Sequence, residues 1–202
     1  MKSTLEIIRL LEETKKPFLT IADLEKILGY SRKVLYVLIH RLVAKKVLVK
    51  ITDGIYRLAN RPVKIESVAQ VLYLPSYISL ESALASHGIL NQIPYTISFV
   101  TTRKSKHITL EKKDINFSHF KKDLFFGYKR VGDIYQAESE KALIDQLYLV
   151  SLGKATLDFE ELNLKGLKKT RFLEYAKKYP KSTQKLAKRL VKDFGKTSIT
   201  IK

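Results

Sequence analysis

Residues 31–44, Ser-Arg-Lys-Val-Leu-Tyr-Val-Leu-Ile-His-Arg-Leu-Val-Ala, decide the fold expected for the first part of the chain. The apolar residues of this stretch recur with the i, i+3, i+4, i+7 spacing of an amphipathic helix, at Leu35, Leu38, Ile39 and Leu42. Ser31 is of a type that favours the N-cap, so we expect its hydroxyl to cap the helix. The spacing predicts a helix that buries this stripe and exposes the opposite side.

The exposed side of this helix is expected to read DNA. At 100° per residue, the residues opposite the apolar stripe are Lys33, Tyr36, Val37, His40 and Ala44, with Arg32 and Arg41 on the flanks. In a major groove, Arg or Lys can bind guanine O6 and N7, and apolar or aromatic groups can contact a thymine methyl. We therefore expect base contacts from Arg32, Lys33, Tyr36 and His40. The alternative is an ordinary solvated basic face.

Two shorter helical patterns precede this helix. Ser3 is a candidate N-cap, with Glu6 at the capping-box position, for a first helix that ends near Thr14. Thr20 is a candidate N-cap for a second helix that stops at Gly29. Because the second and third helices follow each other so closely, the pattern predicts a helix-turn-helix.

A β-hairpin is predicted directly after the third helix. Val47–Thr52 and Ile55–Leu58 are rich in β-branched and aromatic residues, and Asp53-Gly54 between them is a strong hairpin signal. Three helices and this hairpin predict a winged helix-turn-helix DNA-binding domain over residues 1–60, although such elements also occur in protein-binding modules. Phosphate contacts are expected from the basic residues beside or on the hairpin, Lys45, Lys46, Lys50 and Arg57. Arg41, on the flank of the third helix, is a further candidate for DNA binding.

Residues 61–202 are predicted to form a second domain that mixes helices with a mostly antiparallel sheet, so the overall fold class is α+β. Residues 61–77 are expected to link or pack between the two domains, and a helix is expected from Ser79 to about Gly88. The predicted strands are Tyr95–Thr102, His107–Leu110, Ile115–Phe120, Leu124–Arg130 and Asp133–Tyr135. An apolar helix, Glu138–Ser151, is expected to cover one face of the sheet. Two last helices are expected over Lys168–Tyr179 and Ser182–Phe194, separated by Pro180.

The distribution of charge favours a polyanionic partner. The net charge is +18 and the pI about 9.9. Residues 1–60 contribute +6 and residues 165–202 contribute +11, so the middle is nearly neutral. The last helix has an apolar side of Leu186, Ala187, Leu190, Val191 and Phe194, and the opposite side has Lys185, Lys188, Arg189 and Lys192. These four cations are candidates for accessory contacts to DNA phosphates or to an acidic partner, with a membrane surface or plain solvent as the alternatives.

Enzymatic chemistry is not indicated. The chain has no cysteine, no Gly-rich phosphate loop and no G-x-S-x-G motif, and its histidines lack metal-site spacing: His40, His87, His107 and His119. Glu138, Glu140 and Asp145 surround Lys141 on one predicted helix, where end-of-helix charge and local pairing explain them better than acid–base catalysis. We therefore predict no catalytic residue, no metal site and no cofactor.

The location of the protein is also predicted from the sequence. The first residues lack the uninterrupted apolar segment of a signal peptide. The longest charge-free run, Ser82–Thr102, is too polar and too broken for a membrane span. We expect a cytoplasmic protein with no membrane partner.

Several segments together resemble the AbiEi antitoxin family. They cover most of residues 20–150: Ser31–Tyr36, Asp53–Leu58, Tyr77–Leu84, His87–Leu90, Ile93–Lys104 and Ala137–Asp145. The resemblance implies an N-terminal winged helix followed by an antitoxin domain. It also implies a transcriptional autorepressor that binds inverted repeats in its own promoter, within a two-gene abortive-infection or toxin–antitoxin operon. The implied functional partner is a nucleotidyltransferase-like toxin, opposed in the type IV manner without a stable complex.

Two other functions fit the residues. The basic surfaces of an RNA-binding or protein-interaction module could bind structured RNA or an acidic protein. A nucleic-acid enzyme is the third hypothesis, and it depends on the carboxylates of Glu138, Glu140 and Asp145.

Overall fold

The computed structural model describes residues 2–193, and the chain divides into two compact units, Met1–Val68 and Ala69–Lys202. The division lies within a helix that follows the hairpin, whereas the predicted domain boundary lies near residue 60. None of the helices in the described part of the chain is long and apolar enough to cross a membrane.

The first unit combines three helices with a three-stranded antiparallel sheet. The helices are α1 (Thr4–Glu13), α2 (Ile21–Leu28) and α3 (Arg32–Ala44). The strands are β1 (Leu19–Thr20), β2 (Leu48–Thr52) and β3 (Ile55–Leu58), and β3 lies between the other two. The predicted hairpin is confirmed as β2 and β3, but β1 was not predicted. Two residues are too few to show an alternating pattern, and β1 exists because Leu19 pairs with Tyr56.

The helix ends differ in how they are capped. The hydroxyl of Ser3 accepts a hydrogen bond from the backbone N–H of Glu6 at 3.2 Å. Thr20 and Asp23 form a complete capping box, and Gly29 ends α2 in the left-handed conformation at φ 74°. Ser31 occupies the N-cap of α3, but its side chain makes no capping hydrogen bond in the structure described for residues 2–193, so that part of the prediction is wrong.

The core of the first unit contains one side of each helix together with residues of the sheet. Ile7 and Leu11 of α1 and Leu24 and Leu28 of α2 are buried there. The predicted apolar stripe of α3 is confirmed, because its four residues are at most 4% exposed: Leu35, Leu38, Ile39 and Leu42. The opposite side of α3 is consequently left at the surface.

The second unit contains a six-stranded mixed sheet. Its strands are β4 (Ser76–Ile78), β5 (Ile97–Thr101), β6 (Lys106–Leu110), β7 (Lys113–His119), β8 (Tyr128–Val131) and β9 (Ile134–Ala137), in the order β6-β7-β5-β4-β9-β8. The α+β prediction is confirmed. Two of the five pairings described, β4–β9 and β5–β7, are parallel, so the sheet is mixed.

Two predicted segments of this unit differ in the structure. Residues 61–77 contain helix α4 (Ile65–Leu72) and β4, a fully buried central strand, where a link or packing segment was expected. The predicted strand at Leu124–Arg130 is replaced by a short 3₁₀ helix, Lys122–Leu124, followed by β8. Strands β4 and β8 have only three and four residues, which are too few for a periodic pattern. Strand β4 is placed by its pairing with the distant strands β5 and β9.

Helix α6 (Ser139–Ser151) lies at the centre of the helical part of the second unit. It packs against α5 (Leu80–Ser86), α7 (Lys169–Ala176) and α8 (Lys181–Leu190). Residues 140–147 are all buried, so α6 is enclosed on every side over two turns. A 3₁₀ turn, Val191–Asp193, follows α8, and the predicted apolar contact of Phe194 lies outside the described residues.

Candidate nucleic-acid interface

The side of α3 opposite the core presents a mixed basic and apolar surface. All five predicted DNA contacts on this helix are exposed: Arg32, Lys33, Tyr36, His40 and Arg41. Tyr36 is 55% exposed and Val37 63%, which is unusual for large apolar side chains on a well-packed helix. Val34, 43% exposed, belongs to the same surface but was not among the predicted contacts.

The two cations at the start of α3 have different surroundings. Arg32 donates from Nε to Oε1 of Glu25 in α2 at 3.1 Å, so a carboxylate partly neutralises it. No carboxylate described in the structure pairs with the adjacent Lys33. Lys33 is therefore the more available of the two for a phosphate or a base edge.

The basic side chains of the hairpin are less available for DNA contacts than Lys33. Lys50 Nζ lies 2.5 Å from Oδ1 of Asp53 at the hairpin turn. The hydrogen bond and the charge of Asp53 raise the pKa of Lys50, and the same contact lowers the pKa of Asp53. Lys45 and Lys46, at the end of α3, are exposed. Since both members of the Lys50–Asp53 pair are exposed, a phosphate can replace the carboxylate at small cost.

Arg57 is anchored more firmly than a surface cation. Its side chain is half-buried, and its NH1 group donates to the carbonyls of Leu58 at 3.3 Å and Ala59 at 3.4 Å. A phosphate contact by Arg57 therefore depends on the guanidinium atoms that face away from these carbonyls.

The predicted accessory cations share one face of α8 and the turn after it. Lys185, Lys188, Arg189 and Lys192 are exposed, and Thr183, Ala187 and Leu190 are buried on the opposite side. The amphipathic pattern of this helix is thus confirmed, while its contact with DNA or another partner stays a prediction.

The structure gives Asp145 a role that the sequence did not reveal. Its Oδ2 atom accepts hydrogen bonds from the hydroxyls of Ser79 at 2.7 Å and Tyr77 at 3.0 Å. Its Oδ1 atom accepts from Lys141 Nζ and from the hydroxyl of Tyr179. Lys141 and Asp145 are completely buried and form an ion pair four residues apart on α6, so the predicted local pairing is confirmed for Asp145, whereas end-of-helix charge does not explain it.

The buried ammonium of Lys141 lies among aromatic rings. Its Nζ atom is 4.8–5.8 Å from the ring centroids of Phe126, Tyr179, Tyr77 and Phe120. Tyr77, Ser79 and Tyr179 come from segments far from Lys141 in sequence, so no local motif could have identified them. This network replaces the water that both charges lose on burial.

Glu138 and Glu140 are tied to α7. The hydroxyl of Tyr175 donates to Glu138 at 2.5 Å, and Arg171 lies 3.6 Å from Glu138 and 4.0 Å from Glu140. Lys168 donates its backbone N–H to Glu140 at 2.8 Å. Local charge pairing thus explains these two carboxylates, and among residues 2–193 no group of three or more His, Asp or Glu side chains is placed to hold a metal ion.

Most of the first unit matches a known protein family. Residues 6–59 match the family model described as "Transcriptional regulator, AbiEi antitoxin", which confirms the predicted resemblance over that segment. A search of curated proteins finds no match to the chain.

A solved structure shares the fold. The RV2827C protein from Mycobacterium tuberculosis is similar with a TM-score of 0.64, covering 94% of this chain and 76% of that chain. The two sequences are 14% identical, so this similarity concerns the fold alone.

Proposed function

We propose that the chain is a DNA-binding transcriptional regulator whose first unit acts as a winged helix-turn-helix. The exposed side of α3, fixed by the buried stripe behind it, supports this proposal most strongly. That helix lies inside the segment that matches the AbiEi antitoxin regulators. In this arrangement α3 enters the major groove and the β2–β3 hairpin is the wing.

The contacts divide into base-reading and phosphate-binding groups. Lys33, Tyr36 and His40, which have no side-chain partner among the described residues, contact the base edges, and Arg32 contributes once its contact with Glu25 is released. The backbone phosphates are contacted by Arg41, Lys45, Lys46, Lys50 and Arg57. The exposed cations of α8 and of the turn after it add phosphate contacts, so they contribute affinity without sequence specificity: Lys185, Lys188, Arg189 and Lys192.

We propose further that the regulated promoter is the protein's own. In that case the protein represses a two-gene operon by binding inverted repeats, and it opposes a nucleotidyltransferase-like toxin without a stable complex. The family match supports a regulator and antitoxin. We expect to find a nucleotidyltransferase-like reading frame beside the gene. We also expect that its product does not co-purify with this chain.

The proposal is tested by fluorescence anisotropy with the promoter duplex and a scrambled duplex. Lys33→Ala and Tyr36→Ala should each weaken promoter binding by about 5- to 100-fold, since a base contact is worth about 1–3 kcal/mol. Binding to the scrambled duplex should change much less. Lys192→Ala should weaken both duplexes alike, because a phosphate contact does not read sequence. Equal effects of all three substitutions would exclude α3 as the reading helix.

A further inference from the structure

A second group of exposed cations lies at one end of the sheet in the second unit. We call Arg103, Lys104, Lys106, Lys121 and Lys122 the basic platform; all five side chains are exposed. They meet because β5 and β7 run parallel, so their last residues lie at the same end of the sheet, where β6 begins. The platform lies in the part of the sequence whose net charge is nearly zero, so it is a local concentration of positive charge.

The loop of the platform is held in place by hydrogen bonds to its backbone. The hydroxyl of Tyr73 donates to the carbonyl of Lys104 at 2.9 Å, and His119 Nδ1 lies 2.8 Å from the carbonyl of Arg103. The backbone N–H of His119 donates to Ser105 Oγ at 3.0 Å. Because these contacts order the loop in advance, the loop itself loses little conformational entropy when a ligand binds.

Two of the platform's cations share one aromatic ring. The guanidinium of Arg103 lies 4.1 Å from the ring centroid of Tyr73, and Lys106 Nζ lies 5.3 Å from the same centroid. Each cation is attracted to the ring, but the two repel each other. Across the described residues, no carboxylate pairs with any cation of the platform. An anion that contacts Arg103 and Lys106 together would remove the repulsion.

A polar groove adjoins the platform on strands β6 and β7. Its volume is about 340 Å³, and its lining includes Lys106 of the platform together with the polar residues Ser105, His107, Asn116 and Ser118. Ser105 Oγ already accepts a hydrogen bond, so its proton can be donated to a ligand. Asn116 Oδ1 faces His107 Nδ1 at 2.7 Å, which leaves the amide NH₂ of Asn116 to face a ligand. No carboxylate lines the groove, although Asp114 lies 3.4 Å from the far nitrogen of His107.

We propose that the basic platform and the polar groove form a binding surface for structured RNA. The cations contact backbone phosphates, and the hydroxyl and amide groups of the groove hydrogen-bond ribose 2′-hydroxyls, which both donate and accept. The surface consists of strand ends, loops and one short 3₁₀ turn, and its described residues present no α-helix to a DNA major groove, whereas the wide, shallow minor groove of RNA suits such a surface. This activity is additional to promoter binding through α3.

The test compares RNA and DNA hairpins of the same sequence by fluorescence anisotropy with the full chain. We expect tighter binding of the RNA hairpin at matched salt. The double substitution Arg103→Gln with Lys106→Gln should weaken RNA binding about tenfold and lower the slope of log K against log salt by about 1.5, as expected for two lost phosphate contacts. The matched control, Lys112→Gln with Lys113→Gln, removes the same charge at the other end of the β6–β7 hairpin. It should change RNA affinity less than about twofold.

The groove is tested separately from the platform. Asn116→Ala and Ser118→Ala should weaken RNA binding while leaving the affinity for the DNA hairpin unchanged. Lys33→Ala should weaken promoter binding and leave RNA binding intact, so failure of one activity is distinguishable from failure of the other. The proposal is overturned if the platform and control variants, both shown to be folded by thermal melting, weaken RNA binding equally. It is also overturned if the DNA hairpin binds as tightly as the RNA.

Discussion

At the scale of single residues, Asp145 has the most demanding environment in the described part of the chain. Burying a carboxylate is costly unless its oxygens are fully hydrogen-bonded. Asp145 meets this condition with the hydroxyls of Tyr77, Ser79 and Tyr179 and the ammonium of Lys141. Lys141 has fewer polar partners, since among residues 2–193 only Asp145 and the hydroxyl of Tyr179 contact its Nζ atom.

This asymmetry predicts unequal effects of removing the two charges. Asp145→Asn leaves the Lys141 ammonium buried without a counter-charge and should cost about 3–5 kcal/mol of unfolding free energy. Lys141→Met should cost less, because three hydroxyls still stabilise the carboxylate. Urea denaturation of both variants measures the difference. The interpretation fails if Lys141→Met is the more destabilising substitution.

At the scale of elements, α2 and α3 begin with N-cap residues of similar type but different function. Thr20 accepts from the backbone N–H of Asp23 at 3.1 Å, and Asp23 accepts from the backbone N–H of Thr20 at 2.9 Å. Burial alone would raise the pKa of Asp23, but hydrogen bonds from Lys16 and Thr20 outweigh it and lower the pKa. Ser31 makes no such bond among the described residues. The orientation of α3 therefore depends on its buried stripe more than on its cap.

Matched substitutions at the two caps test this difference. Thr20→Ala removes a reciprocal capping box and should destabilise the protein by about 1 kcal/mol. Ser31→Ala should change stability by less than about 0.5 kcal/mol, as for a surface substitution that removes no hydrogen bond. Thermal melting of the two variants against the parent protein is sufficient. A larger loss from Ser31→Ala would mean that its hydroxyl caps α3 in solution.

At the scale of the whole molecule, buried tyrosines link stability to alkaline pH. Burial and the neighbouring Asp145 carboxylate raise the pKa of Tyr77 and of Tyr179 well above the usual value. Burial and the hydrogen bond to Glu138 raise the pKa of Tyr175 to about 12. Burial lowers the pKa of Lys141, despite the opposing effect of Asp145.

The signs of these shifts predict a loss of stability in alkali. A tyrosine with a raised folded pKa stabilises the fold below its unfolded pKa of about 10, and this stability is lost as pH rises toward the folded pKa. The lowered pKa of Lys141 has the opposite effect, because it makes the folded state more stable as pH rises. This effect ends near pH 10.5, since above that pH the side chain is deprotonated in both the folded and the unfolded state. The unfolding free energy should therefore decline above about pH 10.5. The decline is about 1.4 kcal/mol per pH unit for each proton that the folded state binds in excess of the unfolded state.

Urea denaturation between pH 9 and pH 11.5 measures this decline. Tyr179→Phe removes one of the titrating hydroxyls and should make the decline shallower. A stability that stays constant across this range would show that the buried hydroxyls ionise as easily in the folded protein as in the unfolded chain.

The local features of this protein could be predicted from its residues alone. The stripe of α3, the Asp53-Gly54 hairpin and the ends of most helices follow from side-chain spacing and turn chemistry, which act between residues close in the chain. The residues exposed on α3 follow from the same periodicity, because burying one side of a helix leaves the other side to the solvent.

Only the tertiary structure decided which distant residues meet. Strands β1 and β4 are too short to show a period, and each exists through pairing with a strand elsewhere. The partners of Asp145 come from β4 and the residue after it, from α6, and from the residue before Pro180. The cations of the basic platform meet through the parallel pairing of β5 and β7. Long-range pairing depends on the free energy of the whole packed unit. A short segment of sequence does not contain that information.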